Sequence, residues 1–164
     1  MSKPQAAQGP YTVFVGTFRR LGGRGIYATT FDSESLSFRP VTLAAEVIDP
    51  IYMAIDLPGR RLFSVAAMDV ESRAGLVIAY QLDPATQQLR EIVRRPTAGA
   101  AACHIDFSNA SSVVAVAHYL GASVSVAAVG GEESISPIVQ CLPHRGASVH
   151  PQRQAAPHPH SHNL

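Results

Sequence analysis

The sequence predicts an all-β protein built from tandem four-stranded units, a partial β-propeller of about three blades. Three observations lead there. Short runs rich in Val, Ile, Tyr, Phe and Thr alternate with clusters of Gly, Pro, Asp and Ser, which is the composition of strands and turns. The same order of runs returns after about 40–50 residues, the spacing of one propeller blade. No stretch sustains the apolar period of a long helix, although 41–48 admits a turn of one.

Residues 1–10, with Pro4, Gly9 and Pro10, read as a loose leader. Tyr11-Thr12-Val13-Phe14-Val15-Gly16-Thr17-Phe18 has strand composition, and the glycines at 22 and 23 make the turn after it. Gly25-Ile26-Tyr27-Ala28-Thr29-Thr30-Phe31-Asp32 is a second strand, Ser33-Glu34-Ser35 a tight connection, and 36–43 a third strand. The pattern then repeats. Gly25-Ile26-Tyr27 with Phe31-Asp32 returns as Gly75-Leu76-Val77 with Leu82-Asp83, and Ser35-Leu36-Ser37 returns as Gln88-Leu89-Arg90. A weaker third copy runs through Ala122-Ser123-Val124-Ser125-Val126 and closes with Ile135-Ser136-Pro137. Between these copies lie 52–56 followed by 58–65, and 104–108 followed by 110–116, so each unit is four short strands. The units fall at approximately 11–49, 50–101 and 102–149, with 150–164 the start of the next. A closed ring needs about four to eight blades. The expectation is therefore a truncated chain, with self-association through its exposed blade faces.

A length of 164 residues suffices for one domain with a real core, and 46% hydrophobic against 15% charged residues is not a disordered composition. The net charge of +1 gives no footprint for nucleic acid. Two cysteines, Cys103 and Cys141, do not make a disulfide scaffold. No apolar run approaches a membrane span and no cleavable leader precedes Tyr11, so the expectation is a cytoplasmic protein without a membrane partner. Asn109-Ala110-Ser111 matches a glycosylation acceptor, which carries no weight without a secretion signal.

Chemistry concentrates in 150–162, which holds four of the seven histidines. Pro157 and Pro159 disfavour helix around His158, so the segment should run extended, with His158, His160 and His162 on one face. Arg153 adds a fixed cation whose planar donor fork suits carboxylate or phosphate. Three other readings stand beside a catalytic one. The segment is a disordered tail by composition, a zinc or copper site by its alternate imidazoles, or a surface loop in which Arg153 is an ordinary ion-pair partner. Against metal, no Asp, Glu or Cys nearby completes a ligand set. His104 beside Cys103 reads equally as a structural histidine, Gln154 as a loop hydrogen-bonder, and His118 as packing.

Several of these residues also carry a resemblance. Phe14-Val15-Gly16-Thr17-Phe18, Asp83-Pro84-Ala85-Thr86 before Leu89, Cys103-His104, and above all Pro151-Gln152-Arg153-Gln154 with Pro157-His158-Pro159-His160 resemble the propeller-type lactonases. That family includes bacterial 6-phosphogluconolactonase and is similar to fungal carboxymuconate-lactonizing enzyme. The resemblance covers nearly all of 11–164, somewhat under half of a seven-bladed ring. It implies a site at the mouth of the central channel, with His104, Arg153 and one or both of His158 and His160 facing the substrate. Two departures stand out: Ala66-Ala67 where the family has Asn-Glu, and His118-Tyr119 where it has Asn before Tyr.

By that resemblance the reaction is hydrolysis of a sugar-acid lactone. Histidine, with a reference pKa near 6.5, takes a proton from water and returns it to the leaving alkoxide. Arginine holds phosphate or the developing oxyanion. The candidate catalytic residues are His158, His160 and His104, and the candidate substrate-binding residues are Arg153 and Gln154. Neither cofactor nor metal is expected. There is no Gly-x-Ser-x-Gly elbow, phosphate loop or paired-cysteine motif. Calcium-dependent sugar lactonases are propellers too, but call for acidic oxygens where this chain has imidazoles. The competing reading is a non-catalytic propeller fragment that serves as a binding module.

Overall fold

A computed structural model describes residues 9–68, 73–130 and 135–164. The described elements are strands and one 3-10 turn, Arg19–Leu21. The strands form three antiparallel sheets in chain order, so each sheet is a meander of consecutive strands.

The first sheet holds β1 (Pro10–Gly16), β2 (Gly25–Asp32), β3 (Ser37–Phe38) and β4 (Thr42–Glu46). β3 and β4 lie along the same edge of β2, with Phe38 opposite Phe31 and Thr42 opposite Ala28. Two corrections follow. The run 36–43 is not one strand, because Pro40 brings no amide to the ladder and divides it. Nor does 41–48 form a helical turn, because β4 there pairs with β2 and buries Ala44.

The second sheet is β5 (Tyr52–Asp56), β6 (Arg61–Ala67), β7 (Ala74–Leu82) and β8 (Leu89–Ala100), and the third is β9 (Ala102–Ser108), β10 (Val113–His118), β11 (Ser123–Ala128) and β12 (Gln140–Pro143). The closing strand of the third sheet is thus not Ile135-Ser136-Pro137. Ser136 bonds back to Ala128 through its amide and its hydroxyl, and pairing with β11 resumes only at Gln140.

The middle sheet is covered on both faces, which explains why β6 and β7 read as nearly continuous apolar runs. Their side chains alternate. Leu62, Ala66, Leu76, Ile78 and Tyr80 pack with Ile26, Ala28 and Ala44 of the first sheet. Phe63, Val65, Val77 and Ala79 point the other way, to Ile105, Val114 and Val116 of the third. Each large apolar side chain so buried contributes about 1.5–3 kcal/mol.

Turn chemistry fixes the register. Asp56 closes the β5–β6 hairpin: its carboxylate accepts the Gly59 amide at 3.1 Å and Arg61 Nε at 2.8 Å. A Cβ on Gly59 would fall 2.1 Å from Asp56 Oδ2, so any other residue here must displace the carboxylate that closes the turn. Asp32 and Asp83 repeat a second device, each accepting amides two and three residues on. Those amides hold the Asp32 carboxyl below the usual range, and for Asp83 the Thr86 hydroxyl does so first and the amides second.

Candidate functional site

The chain passes from β8 to β9 through Ala101 alone, whose φ of 55° makes the sharp step between sheets. That step places Cys103 and His104 at the start of β9, beside the end of β10 at His118. His118 is fully buried, with Nδ1 3.2 Å from Ser123 Oγ. Burial holds its pKa below the ordinary imidazole value, against the opposing hydrogen bond. Tyr119 follows, its amide bonded to the Ala101 carbonyl at 2.9 Å.

The segment 144–164 folds over this end without joining a ladder. Its turn is organised by His150, whose Nδ1 accepts the amides of Gln152 at 3.3 Å and Arg153 at 3.0 Å. Gln154 closes the turn by accepting the His150 amide on Oε1 at 3.0 Å. His150 was not among the sequence candidates, and its role is to shape the loop that presents Arg153.

Beyond the turn, His158 stacks on the Tyr119 ring at 4.4 Å and 23°, and its Nδ1 lies 2.8 Å from the Tyr119 carbonyl. A carbonyl only accepts, so Nδ1 carries the proton and the Nε2 lone pair is left for other work. His160 also meets the Tyr119 ring, at 4.7 Å, from a more exposed position. Tyr119 is therefore the platform for both; in the sequence it stands out only as the residue after His118, at a departure from the resembled family's pattern.

Arg153, Gln154 and His158 line one cleft of about 430 Å³, together with Gly146, Ser148 and Pro157. A cation, an amide and an imidazole with a free lone pair around one concavity can hold an anionic group and take up a proton. His104 is not part of this lining. Its ring lies between Tyr52, at 4.3 Å, and His162, at 4.8 Å. Burial, opposed by Asp106, keeps its pKa below the ordinary value.

The expectation that 158, 160 and 162 share one face does not hold. His158 and His160 meet Tyr119 while His162 meets His104, because no ladder imposes strict alternation here. Among the described residues no three His, Cys, Asp or Glu side chains gather as a metal site. A second cleft, of about 400 Å³ between the first and second sheets, is lined by Arg19, Arg24, Glu46 and Arg94. Two of its cations are already paired, Arg24 with Glu46 and Arg94 with Glu91, and no imidazole lines it. No described helix is long and apolar enough to cross a membrane.

Comparison with known proteins agrees with this architecture. Residues 12–164 match the family model described as lactonase, 7-bladed beta-propeller. The chain is 30% identical over 150 residues to the 6-phosphogluconolactonase of Bacillus subtilis, covering 92% of this chain and 42% of that protein. It superposes with a TM-score of 0.82 and 26% identity on a candidate 6-phosphogluconolactonase from Bacteroides fragilis, covering 95% of this chain and 42% of that one. It also superposes on the periplasmic gluconolactonase PpgL of Pseudomonas aeruginosa, with a TM-score of 0.77 and 26% identity over 87% of this chain and 41% of that one. The chain thus spans about 42% of the length of the relatives it matches.

Proposed function

The chain belongs to the lactonase family of seven-bladed β-propellers, and from that membership we propose that its cleft at 146–158 binds a sugar-acid lactone, such as 6-phosphogluconolactone, for hydrolysis. One observation carries the reading: Arg153 and His158 line the same cleft while the Tyr119 carbonyl fixes the His158 tautomer. His158 Nε2 takes a proton from water as the water oxygen bonds to the lactone carbonyl carbon. The tetrahedral intermediate places its negative charge on the former carbonyl oxygen. On collapse the bond to the ring oxygen breaks, and the same proton returns to that oxygen, leaving a hydroxy acid. Arg153 holds the phosphate or carries the oxyanion and Gln154 supports the loop that presents it. His160 meets the Tyr119 ring beside His158, and His104 lies outside the cleft lining, between Tyr52 and His162. The acid product ionises, so turnover is read as proton release at constant pH.

The test is lactone hydrolysis by the purified chain with His158→Ala and Arg153→Ala as companions. His158→Ala should lower the rate by about 10²- to 10⁴-fold, the usual contribution of a general base. Arg153→Ala should weaken binding of a phosphorylated lactone more than of its unphosphorylated counterpart. A folded chain with no turnover above buffer would overturn the proposal in favour of a second reading, a non-catalytic fragment that binds other chains. That reading draws on the partly exposed Tyr11, Val15, Ile51 and Ile55, and on a β1 edge with no ladder partner beyond β2 among the described residues.

A further inference from the structure

His158 and His160 turn to Tyr119, and the next alternate histidine turns the other way. His162 sets its ring edge-on to His104, with centroids 4.8 Å apart and planes at 87°. The contact is held from both sides. Cys103 Sγ points at the carbonyls of Pro159, at 3.4 Å, and His160, at 3.8 Å, and the Leu164 amide donates to Asp106 Oδ2 at 3.0 Å. Residues 158–164 therefore lie along β9 with the two imidazoles in the middle of the seam.

The seam offers little to a proton. Neither ring nitrogen of His162 makes a hydrogen bond among the described residues, nor does Nδ1 of His104. The Ala115 backbone of β10 lies near His162 and favours its charged form, but not in hydrogen-bonding geometry. The other groups facing the pair are the Tyr52 ring from β5 and the Asp106 carboxylate from β9. Both Asp106 oxygens already accept amides, from Phe107 at 2.8 Å and from Leu164. A charge on either imidazole would thus be shielded beside a second imidazole with no hydrogen bond made at its buried nitrogens, and with only the Ala115 backbone and the Asp106 carboxylate to favour it.

We propose that His162 is a positioning residue: its uncharged ring against His104 docks 158–164 onto β9 and so sets His158 on Tyr119, and protonation of the pair releases the segment. Only the functional weight of this docking rests on the proposed hydrolysis. Burial, and for His162 the neighbouring His104 as well, holds both imidazoles below their ordinary value, with Asp106 opposing. Undocked rings titrate near 6.5, so docking is complete above that pH and weakens below it, by up to about tenfold per pH unit for each proton taken up.

Hydrogen exchange of the Leu164 amide, which docking seats on Asp106 Oδ2, tests this on the full chain without substrate, with β6 and β7 amides as internal reference. Corrected for intrinsic chemistry, tail protection should fall at least tenfold between pH 7.5 and 5.5, while the reference amides, whatever global stability they lose, stay far better protected than the tail at both pH values. His162→Phe keeps a ring without a titrating nitrogen, so it should keep the protection and lose much of the pH dependence. His104→Gln combined with His162→Phe should be flat, and His162→Lys should be unprotected at both pH values. Tail protection that ignores pH in the unmodified chain, or an unchanged pH response in His162→Phe, would overturn the inference. An inactive chain with pH-dependent docking would not, since exchange is read without turnover.

Discussion

Gly99 is where the packing between sheets and the candidate site meet most closely. A Cβ at this position of β8 would lie 2.3, 2.5 and 2.6 Å from Cγ, Nδ1 and Cδ2 of the His118 ring. The ring has no room to retreat, being fully buried and held to Ser123 through Nδ1. Gly99→Ala must therefore push β8 from β10 or break the His118–Ser123 bond. Overpacking costs about 1–3 kcal/mol and the hydrogen bond about 0.5–1.5, so a loss of roughly 2–4 kcal/mol is expected. For a chain of this size that lowers the melting temperature by about 5–15 °C. Tyr119 follows His118 and hangs from the Ala101 carbonyl, so the same push should shift the ring resonances of His158, which rests on Tyr119. Urea unfolding with Gly9→Ala as control measures the first effect, since a Cβ at Gly9 meets nothing within 4 Å. A Gly99→Ala protein within about 0.5 kcal/mol of the parent, with His158 resonances unmoved, would refute the reasoning.

Three further outcomes are expected. Asp56→Asn removes the carboxylate that holds Arg61 Nη2 at 2.6 Å in the β5–β6 turn; denaturant unfolding should show a loss of about 3 kcal/mol, the low end for a buried pair because Arg61 keeps some solvent. The Tyr80 hydroxyl is buried without a hydrogen-bond partner among the described residues, and its pKa is raised by that burial, so Tyr80→Phe should be neutral or stabilising by about 1 kcal/mol in the same assay. His104, His118 and His162 all have lowered pKa values, so the unfolded chain binds more protons below about pH 6.5. Stability measured by chemical denaturation should be level above that pH and decline beneath it, and a stability that rises on acidification from 6.5 to 5.5 would contradict the buried, neutral imidazoles.

How much of this was legible in the sequence depended on whether a ladder enforced the local rule. β6 and β7 were readable because both faces are buried, so composition, period and pairing agree. At 36–46 the apolar content was right and the break at Pro40 was missed, since a missing amide matters only once the edge it would pair with is known. At 135–143 the buried Ile135 looked like strand, but Ser136 turns its donors and acceptors back on Ala128 and postpones the ladder. In the site, the association of Arg153 with His158 followed from short sequence separation. The pairing of His104 with His162 did not, because 58 positions separate them and the alternation rule, applied to a segment without a ladder, put all three tail imidazoles on one side.

Among the described residues, the two cores share the second sheet as a common wall. Leu62 and Phe63, neighbours in β6, belong to opposite interfaces, so what the first sheet and the third sheet know of each other passes through the backbone of the second. Such an arrangement comes apart from its ends inward, as linear stacks do. Fraying at β1 would leave the wall standing and the imidazoles of the third sheet in place, whereas damage to the wall itself would dissolve both cores at once.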